Sequence, residues 1–160
     1  MINLSKSSPK ILVIGDLIID HYLWGSSNRI SPEAPVPIVS INKESRMLGG
    51  AGNVLNNLNA LGAKIDVISV VGDCENSDSM KALLNEINID TQYLISEKGR
   101  IASKKSRIII SQQQVVRYDR ESSTSINKNS EETILNYYNE IVNSYDCILL
   151  SDYGKGLLTN

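Results

Sequence analysis

Short apolar runs alternate along the chain with segments whose apolar residues recur every three or four positions. The runs at 11–14, 65–71 and 147–150 are each followed by glycine or serine and then aspartate, which is typical of strands buried in a parallel sheet. Three amphipathic helices are predicted, with apolar stripes of Val54, Leu55, Leu58 and Leu61; Met80, Leu83, Leu84 and Ile87; and Ile134, Leu135, Tyr138, Ile141 and Val142. The alternation predicts an α/β layered domain with a mostly parallel sheet.

The remaining segments interrupt this alternation. Residues 24–37 are rich in Gly, Ser, Asn and Pro and predict an irregular excursion, followed by a strand with one exposed face at 36–41. Residues 100–118 predict a hairpin. Gly62 stands where the first helix should end, and Asn129 with Glu132 is the predicted N-terminal cap of the third.

Composition narrows the function classes. The 160 residues carry a formal net charge of −2, so no global basic field favours binding to nucleic acid or to a membrane surface. No segment reaches the length of a membrane span, and residues 1–10 lack the apolar stretch of a signal peptide. Cys74 and Cys147 are far apart and have no metal-ligand spacing, which favours a reduced, cytoplasmic compartment; Cys147 is expected to be buried in its apolar run.

Aspartates follow the predicted strands, where ligands bind in open α/β sheets. Asp16 or Asp20 follows the first apolar runs and Asp152 follows the last, and such carboxylates accept hydrogen bonds from sugar hydroxyls. Asp73 is instead expected to cap the helix after it. The single histidine, His21, is expected to be a packed, hydrogen-bonded residue.

The glycine-rich turn Gly49-Gly50-Ala51-Gly52-Asn53 opens the first predicted helix. Glycine lets the backbone approach a ligand closely, and the amides of the following helix N-terminus supply donors. The turn has neither the Gly-Lys-Ser/Thr of a phosphate-binding loop nor the third glycine of a dinucleotide fingerprint. Taken alone it indicates no more than a structural turn.

These motifs combine into a specific resemblance. The sequence Gly-Asp-Leu-Ile-Ile-Asp at 15–20, the glycine turn, Gly62-Ala63 and Gly72-Asp73 resemble the N-terminal half of ribokinase-like sugar kinases. Within that family, residues 29–39 (Arg-Ile-Ser-Pro-Glu-Ala-Pro-Val-Pro-Ile-Val), 113–121 and 151–156 look like bacterial heptose-7-phosphate kinases. Those enzymes make heptose 1,7-bisphosphate for the ADP-heptose used in lipopolysaccharide.

The resemblance implies a three-layer α/β sandwich with a small β lid. The whole chain, 1–160, would be the N-terminal part of one kinase domain, with core 9–23, 48–95 and 119–160 and lid 24–47 and 96–118. It implies that Asp20, Gly49, Gly50 and Asn53 bind sugar hydroxyls, and Asp152 at its strand end is also expected to bind the substrate. For a phosphate already on the sugar, the candidate cations are Lys105, Arg107, Arg117 and Lys155.

Other implied parts are expected outside this stretch. The family's general base is an aspartate in a Gly-Ala-Gly-Asp turn, and no such turn follows Asn53. The ATP pocket, with its Mg²⁺, belongs to the same later half. The chain also ends after a predicted buried strand, where a helix should begin, so we expect a truncated kinase with negligible activity by itself.

Two alternatives stay open. One keeps the fold but changes the substrate to another sugar or a nucleoside, against which the 29–39 motif argues. The other is a non-catalytic sugar-binding or dimerisation module. The resemblance itself implies a sugar phosphate substrate and a homodimer formed through the lid, with the 36–41 strand exposed.

Overall fold

The structure, a computed structural model, describes residues 8–159. Residues 1–7 and Asn160 lie outside the described range. The prediction that residues 1–10 contain no signal peptide therefore falls mostly on residues outside that range. The elements in chain order are β1 (Lys10–Gly15), β2 (Leu17–Ile30), β3 (Pro37–Gly50), α1 (Ala51–Ala60), β4 (Lys64–Gly72), α2 (Glu75–Glu86), β5 (Leu94–Glu97), β6 (Ser103–Ile110), β7 (Gln113–Arg120), α3 (Lys128–Ile141), a 3₁₀ turn (Val142–Ser144) and β8 (Cys147–Ser151).

Four strands form a parallel sheet in the order β5-β4-β1-β8. Side chains of β1 alternate between its two faces, as expected for a strand buried on both sides. Val13 packs into the core that contains Leu55 of α1 and Met80 of α2, whereas Leu12 packs on the α3 side with Ile134. The sheet therefore lies between two helical layers, and the predicted α/β sandwich is confirmed.

The other four strands form a second sheet in the order β3-β2-β6-β7. In it β2 runs antiparallel to β3 and parallel to β6, and β6 and β7 form the predicted hairpin. The irregular excursion predicted at 24–37 is wrong for its first half, because β2 continues to Ile30. Register shifts at Trp24/Gly25 and at Ser26/Arg29 absorb the small polar residues within the ladder.

The helices follow their predicted apolar stripes, except that Leu61 and Leu135 are exposed. Leu61 is 82% exposed, because it falls at the C-terminal cap of α1 beyond the face that packs on the sheet. Gly62 follows with φ of 82°, and Ala63 N–H donates to Leu58, which is the expected helix end. The cap of α3 is Asn127, not Asn129: its side chain accepts from Ser130 N–H, and Glu97 holds both Asn127 and Ser130 in place.

The last strand is less buried than its sequence predicts. Cys147 is exposed rather than buried, and Leu150 is 61% exposed. These side chains are exposed because β8 is an edge strand and α3 packs over β4 and β5 instead. An open apolar groove of about 420 Å³ results, lined by Ile14, Ile134, Leu135, Tyr138, Ile148, Leu150 and Leu158.

Between residues 8 and 159, no helix combines the length and apolar character needed to cross a bilayer.

Candidate functional site

The glycine turn lies where β3 ends and α1 begins. Gly49 pairs with Ile18 of β2, and a side chain at position 49 would collide with the carboxylate of Asp20. Gly50 has φ of 58°, a backbone conformation that favours glycine. Asn53 is exposed in the first turn of α1. The turn thus brings the N-terminus of α1 next to Asp20.

The same turn is joined to the parallel sheet. Ala51 N–H donates to the backbone oxygen of Asp16 at 2.9 Å. Asp16 itself is 5% exposed, and its carboxylate accepts from the N–H groups of Tyr153 and Lys155 at 2.9 and 3.1 Å. Two aspartates follow the first apolar runs. Asp16 holds the loop after β8, whereas Asp20 lies on β2, in the second sheet.

Asp20 forms an ion pair with Arg107 of β6. Nη1 of Arg107 lies 2.5 Å from Oδ1 of Asp20, and the two side chains are 20% and 22% exposed. The guanidinium also lies over the ring of Tyr22, 5.2 Å from its centroid. The hydrogen bond that Arg107 donates to Asp20 raises the pKa of Arg107 above its ordinary value, and burial lowers it by less.

Further cations share this face of the second sheet. In the register of the strands, Lys105 lies opposite Asp20 and Arg117 lies opposite Arg107, and paired positions project to the same side. Arg117 Nε lies 3.1 Å from Oδ1 of Asp119. We call Asp20, Lys105, Arg107, Arg117 and Asp119 the charged face. It brings together three of the four predicted cations and the predicted hydroxyl acceptor.

The single histidine lies on the opposite side of the same sheet. His21 is 5% exposed, with Nδ1 3.2 Å from the Ser106 hydroxyl and Nε2 3.1 Å from a Glu44 oxygen. It therefore links β2 to both neighbouring strands. The prediction of a packed, hydrogen-bonded histidine is confirmed.

The other predicted site residues follow β8, apart from the charged face. Asp152 is exposed, and its Oδ1 accepts from Gly154 N–H at 2.8 Å. Lys155 Nζ lies 2.8 Å from Oε1 of Glu121, whose second oxygen is buried and has no hydrogen-bond partner within residues 8–159. The charge of Lys155 is thus balanced by a residue that the sequence did not single out, although Glu121 directly follows β7.

Only a small cavity lies beside Lys155. Its volume is about 10 Å³, and its lining includes Asp16, Arg100 and Ser122. That volume suits about one water molecule. The cavity is therefore too small for a sugar.

Asp73 does not cap the helix that follows it, contrary to the sequence-based expectation. Its Oδ1 accepts from Gly99 N–H at 3.0 Å, and Cys74 occupies the cap position of α2 without a side-chain cap bond. Asp73 therefore ties β4 to the segment after β5. Among residues 8–159, no three His, Cys, Asp or Glu side chains are grouped so that they could hold a metal ion.

The fold identifies the class of protein. A carbohydrate kinase from Agrobacterium tumefaciens superimposes with a TM-score of 0.63 and 17% identity, over 89% of this chain and 45% of that protein. A ribokinase from Arabidopsis thaliana, solved with ribose and ATP, superimposes with a TM-score of 0.59 and 14% identity, over 90% of this chain and 45% of that protein. At these identities the likeness shows the fold alone, which is that of the ribokinase-like kinases.

Sequence comparison assigns the family. The model of the pfkB family of carbohydrate kinases matches residues 8–153, and the chain belongs to that family. The bifunctional protein HldE of Aliarcobacter butzleri is 58% identical over 156 residues, which are 98% of this chain and 33% of that protein. HldE of Helicobacter hepaticus is 48% identical over 160 residues, again 33% of its length. The chain spans about a third of these relatives, and the predicted resemblance is confirmed.

Proposed function

We propose that this chain is the sugar-binding part of an ATP-dependent kinase that phosphorylates the anomeric C1 hydroxyl of heptose 7-phosphate. The observation that carries the proposal is the meeting of Asp20 and Gly49 with the cations Lys105 and Arg117. A carboxylate accepts hydrogen bonds from hydroxyls, whereas a group of cations suits an anion. A substrate that fits both carries hydroxyl groups and a phosphate on one molecule.

In this proposal each residue has a task. Asp20 accepts from a sugar hydroxyl, with Gly49 leaving the space for it, and Gly50 directs Asn53 and the first amides of α1 to the same sugar. Lys105 and Arg117 bind the existing phosphate. Residues 24–47 and 96–118 form the lid, and the rest of the chain forms the core.

Asp152 and Lys155 have the weaker claim on the substrate. Asp152 already accepts from the backbone of its own turn, and Lys155 is paired with Glu121. Either residue would have to give up that contact to bind the sugar phosphate. We therefore rank Lys155 behind Lys105 and Arg117 for the phosphate.

The relatives support the choice of heptose. Those with about half of their aligned residues identical carry the name bifunctional protein HldE. By that likeness the product would be heptose 1,7-bisphosphate, destined for ADP-heptose and lipopolysaccharide core synthesis. The two cysteines are unpaired, which fits a reducing compartment, and we assign the activity to the cytoplasm.

ATP and Mg²⁺ are part of the proposal but not of this stretch of chain. Residues 8–159 offer no grouped carboxylates for a metal ion. We assign the general base and the nucleotide pocket to the remainder of the kinase domain. The task of residues 8–159 is to bind and orient the sugar.

The test is a substrate panel with the full-length protein. ADP release is measured with heptose 7-phosphate, heptose, ribose, fructose 6-phosphate and adenosine, and the product is located by ³¹P NMR. We expect turnover with heptose 7-phosphate and a new phosphate on C1. Preference for a nucleoside or another sugar would support the alternative kinase, and sugar binding without ADP release would support a non-catalytic module.

A matched pair of variants ties the result to the site. Asp20→Asn should weaken sugar binding about tenfold or more, since a charged acceptor is lost. Asp78→Asn removes an exposed carboxylate on α2 and should change nothing. The separate chain of residues 1–160 should release no ADP, and turnover by that chain would contradict the proposal.

We also propose that the second sheet mediates a homodimer. Its edge strands are β3 and β7, which carry exposed apolar side chains at Ile41, Val115 and Tyr118. Such edges pair readily with another chain. Sedimentation velocity should show a dimer that Ile41→Lys dissociates and that Leu61→Lys, at an exposed apolar site on the end of α1, leaves intact; an unchanged dimer in Ile41→Lys would exclude this interface.

A further inference from the structure

Asp20 is engaged by a neighbouring side chain. Its Oδ1 accepts from Arg107 at 2.5 Å, and both side chains are about four-fifths buried. A charge-assisted bond between partly buried groups is stronger than an exposed surface pair. A sugar hydroxyl that approaches Asp20 must therefore compete with the guanidinium.

Arg107 is also placed to bind a different anion. Arg117 lies directly opposite it on β7, and like charges at opposite positions of a sheet repel. Lys105 lies on the same face, two residues before Arg107. The face has three cations but only two carboxylates, those of Asp20 and Asp119, so an excess of positive charge remains where these side chains meet.

Apart from its bond to Asp20, Arg107 contacts Tyr22, and that contact does not fix the orientation of the guanidinium. Its guanidinium lies over the ring of Tyr22, an attraction that does not fix the direction of the N–H fork. The guanidinium can therefore turn from Asp20 toward an anion between Lys105 and Arg117. Within residues 8–159, the hydrogen bond to the Asp20 carboxylate comes from Arg107, and Arg117 is paired with Asp119 instead.

We propose that Arg107 is a specificity-determining residue that makes binding of a sugar hydroxyl at Asp20 depend on a phosphate carried by the same sugar. This inference rests on the proposed function, which supplies a phosphorylated sugar as substrate. The phosphate accepts the fork of Arg107, and Oδ1 of Asp20 is then free for the hydroxyl. A sugar without phosphate leaves Arg107 on Asp20. Only hydrogen bonds are exchanged, and no covalent bond changes.

The test compares matched pairs of ligands by isothermal titration calorimetry on the full-length protein. The pairs are heptose with heptose 7-phosphate, ribose with ribose 5-phosphate, and fructose with fructose 6-phosphate. The wild type should prefer the phosphorylated member of its preferred pair by about a hundredfold or more. Arg107→Met should bind that phosphorylated sugar about tenfold more weakly, and the unphosphorylated sugar severalfold more tightly, because Asp20 is released.

The gain for the unphosphorylated sugar is the decisive result. If Arg107 only positioned Asp20, Arg107→Met would weaken both members of the pair, and that outcome would overturn the inference. Arg107→Lys keeps the charge without the planar fork, so it should show the same two shifts in smaller size. Arg46→Met removes a cation from the opposite side of the sheet and should shift neither constant.

The wild-type data separately test the proposed function. If a pair other than heptose is preferred and Arg107→Met still shifts its two constants in opposite directions, the heptose assignment fails and the inference stands. If heptose 7-phosphate is preferred but the shifts run in the same direction, the inference fails and the function stands. Binding of no ligand from any pair would overturn both.

Discussion

The carboxylate of Asp16 accepts a hydrogen bond from the N–H of Lys155, a residue 139 positions further along the chain. The same oxygen accepts from Tyr153 N–H. Asp16 is almost fully buried, so these two donors replace the water that the carboxylate loses on folding. The contact closes the loop after β8 onto the end of β1, next to the turn that opens α1.

Asp16→Ala should destabilise the fold. Two backbone N–H groups lose their acceptor, and the expected loss in the free energy of unfolding is about 2–4 kcal/mol. Asp152→Ala is the matched control, because this aspartate is exposed and caps one turn; its effect should stay within about 1 kcal/mol. Urea denaturation followed by circular dichroism measures both, and equal losses would show that the Asp16 contacts are not structural.

Glu97 should make stability depend on acidic pH. Burial raises the pKa of Glu97. Hydrogen bonds from Asn127 N–H and the Ser130 hydroxyl, together with the charge of Arg100, lower the pKa by more, so it lies below its ordinary value. An unfolded glutamate titrates at about pH 4.3. A group with a lowered folded pKa stabilises the fold above the unfolded value, and this contribution is lost as the pH falls through the folded pKa.

The variant Glu97→Gln isolates that contribution. At neutral pH it should lower the free energy of unfolding by about 2 kcal/mol, because three charge-assisted contacts weaken. The difference from wild type should shrink as the pH falls below about 4.3. Glu132→Gln changes an exposed carboxylate of α3 and should show no such trend in urea midpoints measured from about pH 7 to about pH 3.5, a range that spans the unfolded pKa. A constant difference across that range would contradict the assignment.

Much of the fold could be predicted because helix and strand periods are local properties. The stripe of α2 is an example: Met80 and Leu84 are fully buried, as their spacing predicts. Burial of a strand is not local. Cys147 lies in as apolar a run as β1, but its exposure depends on which strands and helices cover β8.

Individual residues of the candidate site could be named from the sequence, but the side chains with which they pair could not. Asp20 and Gly49 are singled out by the family resemblance of residues 15–20 and 49–53, because the glycine turn alone indicates only a structural turn. The partner of Asp20 depends on the register of β2 against β6, 87 positions apart, and no local pattern encodes that register. Glu121 and Lys155 are 34 positions apart, and no local pattern encodes their pairing either.

The cap of α3 is a smaller case of the same kind. Asn127 and Asn129 are equally good caps by residue type. The tertiary contact of Glu97 with Asn127 N–H decides between them, and that contact joins residues 30 positions apart.

The turn of the β6–β7 hairpin can be improved. Ser111 and Gln112 both have positive φ, 48° and 68°, in a two-residue loop between the paired Ile110 and Gln113. Such turns favour Asn-Gly, because other residues pay a steric penalty there. Ser111→Asn with Gln112→Gly should raise the free energy of unfolding by about 1–2 kcal/mol. Gln114→Gly, a glycine placed within β7 instead, should lower it, and the opposite order of melting temperatures would contradict the turn assignment.

Gly49→Ala should weaken sugar binding. The new Cβ would meet the carboxylate of Asp20, which can move away only by disturbing its ion pair with Arg107, so the expected loss in stability is about 1–3 kcal/mol. Asp20 would then leave the position from which it accepts a hydroxyl. Binding of heptose 7-phosphate should weaken about tenfold to a hundredfold.

Gly62→Ala should affect stability alone. A side chain there meets no neighbour among the described residues, but φ of 82° is costly for any residue with a Cβ, so the expected loss in stability is about 1 kcal/mol. The site is at the other end of α1 from Gly49, and sugar binding should not change. Calorimetric binding and urea unfolding on both variants therefore distinguish a glycine required by the ligand site from one required by the backbone. If Gly49→Ala lost stability but kept its affinity, Gly49 would belong with Gly62 among the structural glycines.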